Sequence, residues 1–299
     1  MSSEPIRYRS DDEDSGRWEG FPFRDGDLVI STRSKSGTTW MQMICALLVF
    51  QTPELPAPLA ELSPWVDHEI TPIDDVVRRL EGQQHRRFVK THTPLDGIPV
   101  DARATYIVVC RDPRDLYVSL WHQGNNIDRA AVRRLLGKPE PGPEEPPPSP
   151  RTPLPEALQR WIDDEASPQE RMDGIRGVFH HAGDAWARRD TETNVLLVHY
   201  SDLLADLDGQ MRGLADRLGV AVPEDRWADL VDAATFASMR RRAGRSAPDA
   251  GGVLKDPQAF FRRGESGGWR ELMTPEQVAH YERRAATLAP PEVVAWLHR

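Results

Sequence analysis

DLVISTRSKSGTTWMQMICALLVF, residues 27–50, reads as a buried strand, a tight loop of small residues and an apolar helix in immediate succession. Leu28, Val29 and Ile30 form an apolar, β-branched run bounded by charge, which suits a strand of a parallel sheet covered on both faces. From Thr38 onwards the pattern is helical. Between the two, Ser34, Lys35, Ser36, Gly37, Thr38 and Thr39 offer a glycine that lets backbone approach an anion, hydroxyls to hydrogen-bond it and one ammonium to neutralise it. The following helix adds unpaired amide donors and the positive end of its dipole. The loop is a candidate phosphate cradle, with a plain strand-to-helix connection as the alternative.

The chain of 299 residues suits one open α/β domain, a central parallel β-sheet flanked by helices. A net charge of -9 argues against nucleic acid or an anionic membrane as the main partner. Arginines nevertheless gather in the C-terminal third, at 240–242, 245, 262, 263 and 270, which suggests a small-anion site, with solvated surface arginines as the commoner alternative for any one of them. Cys45 and Cys110 have apolar neighbours and read as buried thiols. No signal peptide is evident and the longest apolar run, 41–50, is too short to span a bilayer, so the expected compartment is the cytoplasm.

Residues 1–20 are polar and acidic and are expected to be disordered, or at most a short arm laid over the surface through Trp18, Phe21 and Phe23. RFVKT, 87–91, is the second strand. If extended geometry persists past it, Lys90 and His92 face one side together, into the crevice beyond the strand ends, with a solvated loop histidine as the equal alternative for His92. ATYIVVC, 104–110, is the third strand; Arg111 follows, Asp112 caps a helix with Pro113 in its first turn, and Ser119 lies about two turns in. Residues 138–155 hold nine of the 26 prolines and read as an insertion or lid. NVLLVHY, 194–200, is another strand, after which Ser201 is expected to cap a helix whose stripe of Leu203, Leu204, Leu207, Met211, Leu214 and Leu218 is core. A basic, glycine-rich segment, 257–269, precedes a last helix from Thr274. Trp18, Phe21, Trp65, Trp121 and His122 are candidates for an apolar acceptor pocket, and Asp67 and Glu69 for holding a cation; all could equally be core or solvated. No cluster of His, Cys and carboxylates has metal-ligand spacing.

The loop differs from the GxxxxGK[ST] phosphate loop of nucleoside triphosphatases, since its lysine precedes its glycine. SKSGTTW instead resembles the phosphosulfate-binding loop of the cytosolic sulfotransferases, which transfer a sulfuryl group from 3'-phosphoadenosine 5'-phosphosulfate (PAPS) to an alcohol, phenol or amine and release adenosine 3',5'-bisphosphate (PAP). FVKTH, CRDPRDLYVSLWH and FFRRGESGGW resemble three further motifs of that family, in the same order, so that the likeness runs from residue 27 to 269 of a chain taken as a bacterial member. The resemblance implies a single α/β domain, 21–299, with a P-loop-like phosphosulfate loop. It assigns Lys35, Ser36, Gly37, Thr38 and Thr39 to the 5'-phosphosulfate, Trp40, Tyr200 and Phe236 to the adenine, and Arg111, Ser119, Arg262, Arg263 and Gly264 to the 3'-phosphate. It makes His92 the general base and Lys90 a second cation beside the transferring group, and gives Ser119 the restraint of Lys35 until acceptor arrives. No metal is implied. The acceptor would be a small apolar or aromatic metabolite bearing a hydroxyl or amine. Ala234, Gly268, Pro275 and Ala279 depart from the family's pattern, the last two in its dimer motif, which leaves the oligomeric state open. An ATP-dependent small-molecule kinase and a catalytically silent PAP-binding protein are the competing readings.

Overall fold

In a computed structural model, which describes residues 4–139, 151–249 and 251–299, four short apolar runs pair side by side. Leu28–Thr32 (β1), Phe88–Thr91 (β2), Thr105–Cys110 (β3) and Val195–His199 (β4) form a parallel sheet in the order β2-β1-β3-β4. In register, Ile30 lies between Lys90 and Ile107, and Cys110 opposite His199.

The strands are apolar throughout because both faces are covered. Leu28, Ile30, Ile107, Val109 and Leu196 pack with residues of the helices Thr38–Phe50, Leu207–Leu218 and Trp227–Ala234. Their strand neighbours Val29, Tyr106, Val108 and Val195 point the other way and join a second core with Ile175–Arg188 and Pro275–Leu288. Cys45 and Cys110 are buried free thiols. Because β2 lies on one side of β1 and β3 on the other, the connections leaving β1 and β3 diverge and open a crevice beyond the carboxyl ends of the strands.

Local chemistry sets the helix starts. Gly37, at φ 112°, turns the chain from β1 into Thr38–Phe50. Asp112 accepts from the Arg114 amide at 2.9 Å, and Pro113 occupies the first turn of Pro113–Asn126. Thr274 and Gln277 form a reciprocal capping box on Pro275–Leu288, which is followed by one more helix, Pro291–Leu297, beyond the one the sequence reading placed last.

Three expectations give way. The acidic opening segment, read as disordered or as a short arm held through Trp18, Phe21 and Phe23, packs on the domain from Tyr8 onward: Tyr8 and Trp18 are buried, and Asp14 pairs with Arg7. Its backbone is held as well, Asp14 N–H donating to the Asp67 carbonyl and Glu69 N–H to the Asp12 carbonyl, each at 2.8 Å. Trp18, Phe21 and Phe23 cluster ring against ring within the core, and the first two do not line the crevice beyond the strand ends. Ser201 is not a cap: His199 holds that position for Tyr200–Ala205, its Nδ1 accepting from the Ser201 amide. The leucine stripe is then split, because Asp206 caps a second helix and leaves Leu204 exposed. Most of the proline-rich insertion at 138–155 lies outside the described residues, though the helix Leu154–Ile162 begins within it. Among the described residues no helix is long and apolar enough to cross a membrane.

Candidate active site

A cleft of about 950 Å³ opens beyond the carboxyl ends of β1, β2 and β3. Its floor is the loop after β1. Lys35 and Gly37 both take left-handed backbone, at φ 67° and 112°, and a Cβ on Gly37 would stand 3.0 Å from the Tyr200 ring. Lys35, Gly37, Thr38, Thr39 and Trp40 line the cleft. Ser36 does not: its side chain is buried behind the loop against Arg33, Cys110 and His181, and its amide is spent on the Arg33 carbonyl. The turn that aims Lys35 outward aims Ser36 inward.

Arg111, Ser119, Tyr200, Phe236, Arg262, Arg263 and Gly264 complete this end of the cleft. The Arg111 guanidinium lies 4.3 Å over the Tyr200 ring and donates to the carbonyls of Lys35 and Glu265, while its buried Nε has no partner. Neither Lys35, Arg111 nor Arg262 pairs with a carboxylate within 4.0 Å among the described residues. Burial, reinforced by Arg111, Lys90 and Arg262, brings the Lys35 ammonium down to about 7. Uncompensated positive charge concentrated in a crevice is what an oligo-anion neutralises. Trp40 donates to the Ala234 carbonyl at 2.8 Å and meets Tyr200 edge to face, forming an aromatic wall with Phe236. Gly264 is required, since at φ 68° its Cβ would fall 2.4 Å from the Phe236 ring. Arg263 is more peripheral, half exposed and 3.6 Å from Glu271.

The opposite side carries His92 and Lys90. His92 Nδ1 lies 2.7 Å from the Thr32 carbonyl, which can only accept, so that nitrogen carries the proton and Nε2 is left as the basic lone pair. Burial first, then Lys90 and Arg33, hold the imidazole well below its ordinary range, and it is neutral at pH 7. Lys90 sits 4.0 Å over the Trp65 ring and is lowered to about 8, mainly by burial. Trp65 also meets His92 edge to face at 4.6 Å.

Several contributing residues were invisible in the sequence. Arg33 donates to the His92 carbonyl and to Asp173 at 2.6 Å, fixing the backbone of His92. Asp115 accepts from the amides of Gly267 at 2.6 Å and Trp269 at 3.3 Å, tying the glycine-rich segment to the helix that carries Ser119 even though Gly268 departs from the family pattern. Asp67 is wholly buried and does not line the cleft; its Oδ2 accepts from Thr91 and Thr93, and its Oδ1 has no partner among the described residues. Trp65 and Trp121 line the cleft with Leu59, Ile70, Val76, Ile127 and Val132; His122 and Glu69 do not. Among the described residues no group of three His, Cys, Asp or Glu side chains could hold a metal ion.

An open α/β sheet with a cationic, glycine-turned loop at its switch point defines an anion-binding enzyme of the group-transfer kind. The sulfotransferase domain model matches residues 25–288. A glycolipid sulfotransferase of Mycobacterium bovis (strain BCG / Pasteur 1173P2) is 42% identical over 309 residues, an alignment covering 98% of this chain and 94% of the relative. Cytosolic sulfotransferase 13 of Arabidopsis thaliana is 26% identical, over 85% of this chain and 74% of its own. In fold the chain is similar to a mouse sulfotransferase complexed with PAP, with a TM-score of 0.68 and 20% identity over 95% of this chain and 91% of that one. This chain belongs to the sulfotransferase family. The kinase alternative is thereby set aside.

Proposed function

We propose that the protein transfers a sulfuryl group from PAPS to a hydroxyl of an acceptor with a large apolar part, with His92 as general base. The observation that carries the reading is the juxtaposition of the unpaired cations Lys35, Arg111 and Arg262 with a neutral His92 across one cleft. The donor fits the residues present: Gly37 and Gly264 leave room where a Cβ would collide, the Arg111 Nε is buried without a partner, and Trp40, Tyr200 and Phe236 offer an aromatic wall to a base. When bound, PAPS supplies the sulfuryl group.

Lys35, Thr38 and Thr39 hold the 5' end of the donor, and Arg111, Ser119, Arg262 and, from the rim, Arg263 hold the 3'-phosphate. The Ser119 hydroxyl has no protein partner in hydrogen-bond range among the described residues and is free for that contact. His92 Nε2 takes the proton of the acceptor hydroxyl as its oxygen attacks, while Nδ1 keeps its proton on the Thr32 carbonyl. Lys35 and Lys90 face the negative charge that gathers on the transferring and leaving oxygens. The apolar wall of Leu59, Ile70, Val76, Ile127 and Val132 takes the body of the acceptor, in keeping with the glycolipid named for the mycobacterial relatives.

The test is transfer of labelled sulfate from PAPS to an alkyl glycoside, with His92→Ala beside the wild type. The variant is expected to lose about 10²- to 10⁴-fold in rate while still being stabilised against heat by PAP. Undiminished turnover in His92→Ala would remove the base from the mechanism, and PAP stabilisation without turnover in the wild type would mark a silent binding protein.

A further inference from the structure

We propose that Glu13 is an acceptor-specificity residue, its carboxyl hydrogen-bonding a second hydroxyl of a sugar-headed amphiphile whose reacting hydroxyl faces His92. The inference rests on the sulfotransferase reading above and specifies the acceptor of that site.

Glu13 comes from the acidic segment whose function the sequence left unread. It lines the cleft, yet it is 92% buried, as its 8% exposure implies, and its Oε2 has no hydrogen-bond partner among the described residues. An unmatched buried carboxyl oxygen is costly, and a ligand hydroxyl reaching the Glu13 carboxyl from the cleft offsets that cost. Backbone pairing fixes its position. Glu13 bridges His68 in antiparallel fashion, and Trp65 bridges Lys90, so the segment is laid in two steps onto β2, the strand that leads into His92. His68 in turn stacks flat on Trp65, with ring centroids 4.0 Å apart.

The chemistry of this corner selects a hydroxyl. Burial pushes the Glu13 carboxyl well above the ordinary carboxylate range, with Arg33 opposing the shift and Asp67 and Asp173 adding to it. A carboxyl accepts from a hydroxyl in either form and, when protonated, donates to one as well. Asp12 and Asp173 extend the polar patch, while Ile70, Ile127 and Val132 make the apolar remainder of the wall. A hydroxylated head at Glu13 and an alkyl body along that wall is the amphiphile this division admits. A site built to hydrogen-bond one hydroxyl rejects an analogue that lacks it, because its buried polar group is left unpaired.

The experiment compares kcat/KM for an alkyl β-glucoside, the n-alkanol of equal chain length and the matching alkylamine, with PAPS as donor, in the wild type, Glu13→Gln and Glu13→Leu. Melting temperature with and without PAP confirms folding and an intact donor site in each. The wild type is expected to prefer the glucoside, Glu13→Leu to cut the glucoside-to-alkanol ratio about tenfold or more, and Glu13→Gln, which also donates and accepts, to restore most of it. Equal losses on both acceptors, an unchanged ratio, failure of Gln to restore it, or a wild-type preference for the amine would each overturn the proposal. Stabilisation by PAP together with turnover of the alkanol but not the glucoside would overturn it while leaving the sulfotransferase reading intact; no turnover of any acceptor would overturn both.

Discussion

Lys35 makes donor binding a protonation event. In the free protein burial and the charges of Arg111, Lys90 and Arg262 bring its ammonium down to about 7, against 10.5 for an ordinary lysine. At pH 8 a group titrating there carries its proton in about one molecule in ten. A bound phosphate supplies the opposite charge that favours the ammonium and returns it towards its ordinary range. Binding of PAP at pH 8 should therefore take up about 0.9 proton at Lys35, and affinity should fall by up to about tenfold per pH unit between 8 and 10. The ligand does not obscure this, since a phosphate monoester loses its second proton near pH 6, at about two units below the working range. Lys90, lowered to about 8, adds a smaller uptake of the same sign if the anion reaches it. Titration calorimetry at pH 8 in two buffers of different ionisation enthalpy measures the uptake directly. Lys35→Arg, which stays charged throughout, should bind with a shallower pH slope. The stability of the free protein moves the other way: a lysine depressed on folding leaves the unfolded chain with more bound protons between about 7 and 10.5, so its contribution to stability improves as pH rises through that window. Identical heats in the two buffers, or an unchanged slope in Lys35→Arg, would refute the crowded-cation account.

Arg111→Ala removes charge-assisted contacts worth about 1.5–3 kcal/mol each, so PAP should bind about 10- to 150-fold more weakly while AMP, lacking the 3'-phosphate, loses far less; thermal stabilisation by each ligand checks this. Gly264→Ala places a methyl 2.4 Å from Phe236 at φ 68°, a backbone region that costs a residue with a Cβ about 1–2 kcal/mol, so both the melting temperature and stabilisation by PAP should fall. Asp115→Ala leaves the Gly267 and Trp269 amides without their acceptor and should cost about 1–3 kcal/mol in denaturant unfolding, with weaker PAP binding because Arg262 and Arg263 sit on the released segment.

Donor-side and acceptor-side residues differ in how far the sequence reveals them. The strands were legible because an apolar, β-branched run such as Leu28–Thr32 has little else it can form, and the positions of Lys35, Gly37 and Arg111 at the strand ends followed from that, Arg111 coming directly after β3 and the other two lying in the loop between β1 and its helix. Ser36 was misread within the same loop, since residue type does not say which way a turn aims its side chain. Arg33 was passed over because its partner Asp173 lies 140 residues away and its hold on the His92 carbonyl is a tertiary contact.

The N-terminal segment shows the physical limit most clearly. Judged by average composition, residues 1–20 are too acidic and too poor in apolar groups to order themselves. Yet Tyr8 and Trp18 are buried and the segment pairs with residues 67–69, which are themselves placed beside β2 by the bridge between Trp65 and Lys90. The residues proposed for the donor fall in a few contiguous stretches, 35–40, 111–119 and 257–269 among them, whereas the corner proposed for the head of the acceptor forms where residues 12–14, 65–69 and 88–92 are laid side by side. Acceptor choice in this enzyme should accordingly follow changes in those pairings, including substitutions at the N-terminus far in sequence from any motif, while donor binding should follow the loops after β1 and β3 together with the 257–269 segment that carries Arg262 and Arg263.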